Sequence, residues 1–231
     1  MTIRRTGAVT AVAALIALAA LAAAPAGAAT GGGGCQLVGT ANISPALGSA
    51  SQSFSYSFTG NLGQGSASCQ SNISGAPATG TASAGIQLSE TVTLTNNTTG
   101  AKSTGTVSYQ EPVPQGTGSC GSSTTSGQAL VTWGNGKHTV ADYSTSGALA
   151  AINLEGTVGS GMTLSLVASS VPAGFSAPAT YGIPSDEPSF PAGQQAEAAL
   201  TFSPTTQDQD CVTKGVSSAA INGVVTIGSA T

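Results

Sequence analysis

The feature that most restricts the fold of this chain is a repeated alternation of apolar and hydroxyl-bearing residues, interrupted at short intervals by turns. Phe54, Tyr56 and Phe58 alternate with serines, and a stretch of the same kind runs from Leu88 to Thr95. A period of two places successive side chains on opposite faces of a β-strand. We expect the aromatic face of the triplet to be buried in the core rather than to form a carbohydrate platform. We find no stretch with the 3.6-residue period of a convincing helix. The sequence therefore predicts an all-β fold.

Glycine, serine and asparagine turns divide the chain into many short strands. The first hairpin is expected to turn near Gly48–Gln52, and the second turns at Asn96–Gly100. Strands are predicted over 36–46, 53–63, 88–95, 103–110, 149–158, 162–170, 196–203 and 216–227. Such a series of short strands is typical of an antiparallel β-sandwich or β-barrel rich in Gly, Ser and Thr, and both architectures stay open.

The strongest local signal is a hairpin within Ala129–Tyr143. Its centre, Asn135-Gly136, favours a two-residue type I′ turn, which places Trp133 opposite His138. His138 is the single histidine of the chain, and Asp142 lies roughly 13 Å further along the strand, too far for a catalytic triad. We therefore expect a Trp–His packing pair rather than a catalytic site.

The surface is predicted to be polar but almost uncharged. Charged residues make up 6% of the chain, against about 25% in typical soluble domains. Beyond Arg5 the only cations are Lys102, Lys137 and Lys214. Nucleic acids and anionic lipid surfaces are bound by clustered Lys and Arg side chains. The composition therefore excludes a nucleic-acid partner and argues against an anionic membrane surface.

The amino terminus has the three parts of a secretory signal peptide. Arg4 and Arg5 precede an Ala/Leu/Val run from Ala8 to Ala24, and the small triplet Ala26–Ala28 follows. This pattern predicts a signal peptide over 1–28. The protein is therefore expected to be secreted or extracellular, or associated with the cell surface.

The rest of the chain is expected to contain a flexible leader and one β domain. The leader is predicted over 29–34 and the domain over 35–231, because about 200 residues fit one domain. No apolar segment of the mature chain is long enough to span a bilayer. The sequence also shows no motif for a cofactor.

The four cysteines form an even set, which in an exported chain indicates two disulfides with three alternative pairings. If 36–46 and 53–63 form a hairpin, Cys35 lies across from Cys69, and Cys120 is left to pair with Cys211. The pairings Cys35–Cys69 and Cys120–Cys211 are therefore preferred. No two cysteines have the short spacing of a zinc site, so we predict no metal.

The segment 171–194 contains five prolines, a composition that cannot continue the interior of a sheet. It is predicted to be a long surface loop, serving either as a crossover or as a functional element. Tyr181, Asp186 and Glu187 are therefore a candidate partner surface. Ordinary turn chemistry, rather than calcium binding, explains the acidic pair in this segment.

Few groups are present for catalysis, so no catalytic residue is assigned. We expect an extracellular or envelope-associated binding or structural protein, with polysaccharide or a second copy as its partner. One alternative is a barrel that holds a small apolar ligand. Another is a secreted polysaccharide hydrolase, which needs two facing carboxylates. The carboxylates considered for that role are Glu90, Glu111, Asp142, Glu155 and Glu197.

Several short motifs give the chain a family resemblance. They are the Ala-rich signal, a Cys-x₃-Gly-Thr-Ala sequence over Cys35–Ala41, the Trp-Gly-Asn-Gly hairpin and the run Gly156–Gly161. In these features the chain resembles exported all-β proteins of high-GC Gram-positive bacteria. The resemblance implies export and an all-β fold, and it carries over no activity and no functional residue.

Overall fold

A computed structural model of the protein describes residues 31–64 and 68–228. The predicted signal peptide, 1–28, lies outside the described residues. The strands are β1 Gly32–Leu47, β2 Gln52–Leu62, β3 Gln70–Ser71, β4 Gly80–Ala84, β5 Gln87–Asn96, β6 Lys102–Gln110, β7 Gln115–Ser119, β8 Ser122–Trp133, β9 His138–Ala148, β10 Ala151–Gly159, β11 Gly161–Leu166, β12 Phe175–Ser176, β13 Thr180–Pro184, β14 Gln195–Pro204 and β15 Val216–Gly228. A 3-10 turn, Ala168–Ser170, is the one helical element of this part.

Eight strands close into an antiparallel barrel. Their order around the barrel, β1-β2-β4-β8-β9-β10-β14-β15, follows the chain, and β15 pairs back onto β1. This confirms the all-β prediction and decides between the two architectures left open by the sequence. Closure leaves the barrel without the unpaired edges of an open sheet.

One position in the barrel wall is shared by two short strands. Between β2 and β8, strand β4 pairs with one half of each neighbour and β7 pairs with the other half. The chain leaves the barrel at the end of β4, forms β5 and β6, and returns at the start of β7. We call the junction between β4 and β7 the wall seam.

A second sheet covers part of the outside of the barrel. It has the order β12-β5-β6-β11-β13 and is built from two insertions, one after β4 and the other after β10. These insertions flank β8 and β9, so the second sheet packs over those two strands. Leu130 and Val140, which pair directly on the outer side of β8 and β9, belong to the buried cluster beneath it. This explains why β8 is apolar on both faces.

The β8–β9 hairpin forms in a different register from the predicted one. Trp133 N–H donates to Lys137 O at 2.8 Å, and Gly136 has a φ of 80°. The loop is therefore a three-residue turn with a glycine bulge. Among the described residues no non-glycine has a positive φ, so Asn135 does not adopt the type I′ conformation.

The prediction that Trp133 faces His138 is therefore wrong. Thr132 lies opposite His138, and Val131 lies opposite Thr139. A slip of one residue exchanges the two faces of a strand. Trp133 and Thr139 consequently point into the barrel, where the indole N–H donates to the Thr139 hydroxyl at 2.8 Å.

The predicted flexible leader is also wrong for Gly32, Gly33 and Gly34. These residues begin β1 and pair with the end of β15, and two of them also pair with β3. A Cβ on Gly33 would lie 3.1 Å from Gln70 O and 3.3 Å from the Phe190 ring. Glycine therefore allows β1 to pack closely against β3 and the adjacent loop.

The proline-rich segment 171–194 lies at the surface, but it is not loop throughout. It contains β12 and β13, and β13 pairs with β11 along its whole length. The prolines fall outside these strands or at the last position of β13. Proline at a strand end removes no central ladder hydrogen bond, so the composition is compatible with two short edge strands.

Both predicted disulfides are confirmed. Cys35 and Cys69 have Cα atoms 4.3 Å apart, and the Cα atoms of Cys120 and Cys211 are 5.9 Å apart. Such bonds indicate a non-reducing environment. In residues 31–64 and 68–228 no helix has the length and apolar character needed to cross a membrane.

Candidate functional site

The candidate site is an internal cavity in the barrel. It has a volume of about 110 Å³ and is lined by side chains from all eight barrel strands. The surface that faces it consists almost entirely of carbon atoms. Because inward-pointing side chains alternate with outward-pointing ones along each strand, the apolar half of every alternating strand contributes to this lining.

The lining of the cavity combines large and small side chains. Phe54, Tyr56 and Phe58 project inward from β2. Ala141 on β9 and Ala198 on β14 line the opposite region, on either side of β10. The predicted assignment of the aromatic triplet to the interior is confirmed. The side chains do not fill the enclosed space, and Phe58 and Ala141 are only half-buried as a result.

Four hydroxyl groups in the barrel wall bond to one another. The Tyr56 hydroxyl lies 2.6 Å from the Tyr143 hydroxyl and 2.9 Å from that of Thr125, which in turn lies 2.7 Å from the hydroxyl of Thr145. Burial, together with the neighbouring Tyr56, raises the pKa of the Tyr143 phenol. These four groups, which we call the hydroxyl chain, therefore each have a hydrogen-bond partner within the protein.

We call the end of the barrel at the β8–β9 turn the upper end. Aromatic packing and the first disulfide cover it. Trp133 is 3% exposed and its ring centroid lies 5.1 Å from that of Phe190, at an angle of 36°. Cys35 and Cys69 complete the same buried cluster. This cluster covers the upper end of the barrel.

The lower end, at the β9–β10 turn, contains the second disulfide. Cys120 N–H donates to Gly48 O at 2.9 Å, and Leu149 N–H donates to Cys120 O at 2.8 Å. Cys211 bonds to the same residue from the loop between β14 and β15. Cys120 therefore ties three loops together at this end.

The three residues of the candidate partner surface have different environments. Tyr181 packs on Tyr109 of the second sheet, with ring centroids 5.5 Å apart. Asp186 accepts a hydrogen bond from His138 N–H at 2.7 Å and lies 3.7 Å from His138 Nδ1. The structure thus gives Tyr181 and Asp186 partners within the chain.

Glu187 is 3% exposed, so its carboxylate is not presented to a partner. It accepts hydrogen bonds from Asn135 Nδ2 at 2.8 Å and from Ser189 N–H at 3.0 Å. Burial alone would raise the pKa of Glu187, but these bonds outweigh it and hold the pKa below its usual range. The hydrogen bond from Asn135 attaches the segment that carries Glu187 and Phe190 to the β8–β9 hairpin.

Two carboxylates considered for hydrolysis lie together on the barrel wall. Glu155 on β10 is directly opposite Glu197 on β14. Both are exposed on the outer face, and neither lines the cavity inside the barrel. In the described part of the chain no group of three or more His, Cys, Asp or Glu side chains is placed to hold a metal ion.

Glu111 is a buried carboxyl group at the wall seam. It is 1% exposed, and it accepts hydrogen bonds from the Ser83 hydroxyl at 2.6 Å and from Ile86 N–H at 3.1 Å. Neither of the two ion pairs in the described residues includes it. Burial raises the pKa of Glu111 in spite of these hydrogen bonds. These hydrogen bonds join the segment just before β7 to the segment at the end of β4, on the two sides of the wall seam.

The raised pKa of Glu111 predicts that stability decreases with rising pH. The folded state holds the proton more tightly than the unfolded state, in which the pKa is about 4.3. The free energy of unfolding therefore falls as pH rises from that value through the folded pKa, by at most about 1.4 kcal/mol per pH unit. Glu187 affects the free energy of unfolding in the opposite direction. Because its pKa is lowered, its contribution to stability is lost as the solution is acidified.

Glu111→Gln should abolish this decrease of the free energy of unfolding with rising pH. It should also stabilise the protein at pH 8, because the neutral amide keeps the size and polarity of the protonated acid. Urea unfolding between pH 4 and pH 8 measures this. Asp208→Asn is the control, since it removes an exposed carboxylate whose ion pair with Lys214 is open to solvent. A decrease that persists in Glu111→Gln would assign the effect to another group.

Comparison with known proteins yields no relative. No family model, no curated protein and no solved structure matches the chain. The interpretation of the cavity therefore rests on its geometry and chemistry.

Sequence reasoning missed the cavity. The alternation identified Phe54, Tyr56 and Phe58 as interior residues. A barrel that holds a small ligand was one of the alternatives, but no lining residue on any other strand was predicted. The alanines opposite them carried no signal of their own, since alanine occurs at inner and outer positions alike. Ala198 lines the cavity and the adjacent Ala199 is exposed, so only the strand register separates their roles.

Proposed function

We propose that this protein is a secreted carrier, extracellular or associated with the cell envelope, that holds a small apolar molecule inside its barrel. The observation that carries the proposal is the cavity of about 110 Å³ inside the barrel, with a surface of carbon atoms. Protein interiors are normally packed to the density of organic crystals. An apolar void of this size loses dispersion contacts, which a bound molecule would restore.

Binding a sugar polymer on the surface is supported less well. Carbohydrate platforms stack exposed aromatic rings against the sugar, and all ten aromatic residues of the chain lie in the described part. None of them is exposed, and the large apolar side chains that are exposed there are the valines 38, 113, 212 and 224. The barrel therefore directs its aromatic surface inward.

Self-association through strand edges also has little support. In the described part of the chain the barrel has no free edge, whereas the second sheet has two: the five-residue strand β13 and one side of β5, which pairs with β12 at only two positions. Glu90 lies on the inner face of that strand, where it raises the pKa of Tyr181. An inward-pointing charge on an edge strand opposes the addition of another strand.

The export prediction supports an extracellular setting for the carrier. The Arg–Ala/Leu–Ala-x-Ala pattern over 1–28 and the two disulfides both fit a protein that works outside the cytoplasm. Edman sequencing of the protein recovered from culture fluid tests this step. An amino terminus near residue 29 is expected, and recovery from the cytoplasm with residue 1 intact would contradict export.

Ala198→Leu tests the carrier function. The added carbon atoms enter the cavity next to Leu154 and Val225, which pair with residue 198. We expect loss of binding together with a gain of about 1 kcal/mol in the free energy of unfolding, because filling an apolar void restores lost contacts. Xenon and toluene titrations followed by NMR measure binding, and urea unfolding measures stability.

The neighbouring substitution Ala199→Leu is the matched control. It adds the same atoms to the same strand, but on the exposed outer face. We expect it to leave xenon and toluene binding unchanged. Equal binding by the two variants would contradict the assignment of the cavity as the site.

A further inference from the structure

The polar groups that line the cavity present almost no polar surface to it. Tyr56, Tyr143, Thr125 and Thr145 bond to one another in the hydroxyl chain. The Thr139 hydroxyl accepts the Trp133 indole N–H. Their oxygen atoms leave almost no polar surface facing the cavity.

This arrangement disfavours ligands that carry a polar group. A hydroxyl or carboxyl group entering the cavity would lose its water and meet an almost wholly apolar surface, a transfer that is strongly unfavourable. The side chains lining the cavity include no charged residue. The lining therefore offers almost no polar surface to the carboxylate of a fatty acid, the amino group of an amine or the hydroxyl groups of a sugar.

The volume of the cavity limits the ligand to a small molecule. A dry apolar cavity of about 150 Å³ in another protein holds one benzene molecule. The cavity described above is about 110 Å³, so it suits a compact molecule of a few carbon atoms rather than an extended acyl chain.

The aromatic wall favours a ring. Phe54 and Tyr56 lie with ring centroids 6.4 Å apart and tilted by 38°, and Phe58 follows on the same face of β2. Phe202 lines the cavity from β14. Aromatic rings prefer offset or edge-to-face contact with other rings, which adds to the effect of burial.

We infer that the ligand is a single hydrocarbon ring without polar substituents, of about six or seven carbon atoms. This inference rests on the proposed carrier function. It adds selectivity: the hydroxyl chain keeps the polar atoms of the wall occupied, and thereby excludes oxygenated analogues of the same shape.

Toluene and phenol form a matched pair for the test, because a methyl group and a hydroxyl group have similar size. Titration of the full chain by NMR or calorimetry should show phenol binding at least about 10-fold more weakly than toluene. n-Hexane, with as many carbons as benzene, tests the preference for a ring and should bind more weakly than benzene.

Tyr56→Phe tests the role of the hydroxyl chain. It removes the hydroxyl that joins Tyr143 to Thr125, so both neighbours gain a free position that phenol can use. The affinity of phenol relative to toluene should rise several-fold. An unchanged ratio would overturn the inference that these hydroxyls set the selectivity.

The remaining outcomes separate this inference from the carrier function. Binding of phenol or n-hexane as tight as that of the matched ring hydrocarbon would overturn the ligand class and leave the carrier function standing. Absence of binding by toluene, benzene and xenon alike would overturn the carrier function itself. Ala198→Leu, run in parallel, shows that any binding observed takes place in the cavity.

Discussion

Replacing Cys120 and Cys211 together by serine should lower the free energy of unfolding by about 4.5 kcal/mol. The bond closes a loop with a sequence separation of 91 residues, and the loss of chain entropy in the unfolded state grows with the length of such a loop. A typical domain is stable by about 5–15 kcal/mol. The variant is therefore expected to be close to unfolding at 37 °C.

The native structure gives this disulfide a second role at the lower end of the barrel. Cys120 also binds Gly48 and Leu149 through its backbone, so its position fixes the loops that close the cavity there. In the double variant, the amide hydrogens of residues 120 and 149 should therefore show a larger increase in exchange rate over the native protein than those of β8 and β9. Hydrogen exchange followed by mass spectrometry measures this local effect.

The double variant at Cys35 and Cys69 is the matched comparison. This bond has a sequence separation of 34 residues, which corresponds to about 4 kcal/mol. Urea unfolding of the two double variants should give the larger loss for Cys120 and Cys211. The reverse order would show that packing at the upper end, rather than loop entropy, determines the contribution of each bond.

Trp133→Ala should destabilise the protein by about 3–5 kcal/mol, the range for removing a buried aromatic side chain. The substitution leaves a void beneath Phe190 and removes the donor to the Thr139 hydroxyl. Both changes act at the upper end of the cavity. Circular dichroism is the measurement of choice, because Trp133 is the only tryptophan and fluorescence is lost with it.

The same variant should loosen the segment 185–194. Phe190 loses its aromatic partner there, while Asp186 and Glu187 keep their hydrogen bonds to the β8–β9 hairpin. Limited proteolysis should therefore cut the variant near Phe190 faster than the native protein. Equal cutting of both would mean that the polar contacts alone hold the segment.

Trp133→Phe separates packing from hydrogen bonding. It retains an aromatic ring against Phe190 and loses only the indole N–H and part of the volume. A loss of about 1–2 kcal/mol is expected, as for one buried hydrogen bond with minor repacking. If Trp133→Phe were as unstable as Trp133→Ala, the bond to Thr139 would be the main contribution of this residue.

The local features of the fold could be predicted because each depends on residues close in sequence. The hairpin of β1 and β2 follows from alternation around Gly48–Gln52, and it places Cys35 across from Cys69. Strands β4 and β7 escaped prediction because each is only five residues long. Their sequences are rich in Gly, Ser, Thr and Ala, which form strands here through pairing with β2 and β8.

The register of the β8–β9 hairpin shows where local reasoning ends. Asn135-Gly136 fits both a two-residue and a three-residue turn, and the two differ by one position in register. Packing decides between them: the observed register buries Trp133 against Phe190 and directs Val140 toward the second sheet. No residue near the turn carries that information.

The sequence by itself determined the strand class and most strand positions and indicated the preferred disulfide pairing, since alternation, turn residues and cysteine spacing act over short distances. Tertiary structure decided the closure of the barrel, the burial of Glu111 and Glu187, and the cavity. Closure requires β15 to meet β1 from opposite ends of the chain. The cavity is the small difference between the volume that eight strands enclose and the volume that their side chains fill, and neither quantity exists before the strands are placed.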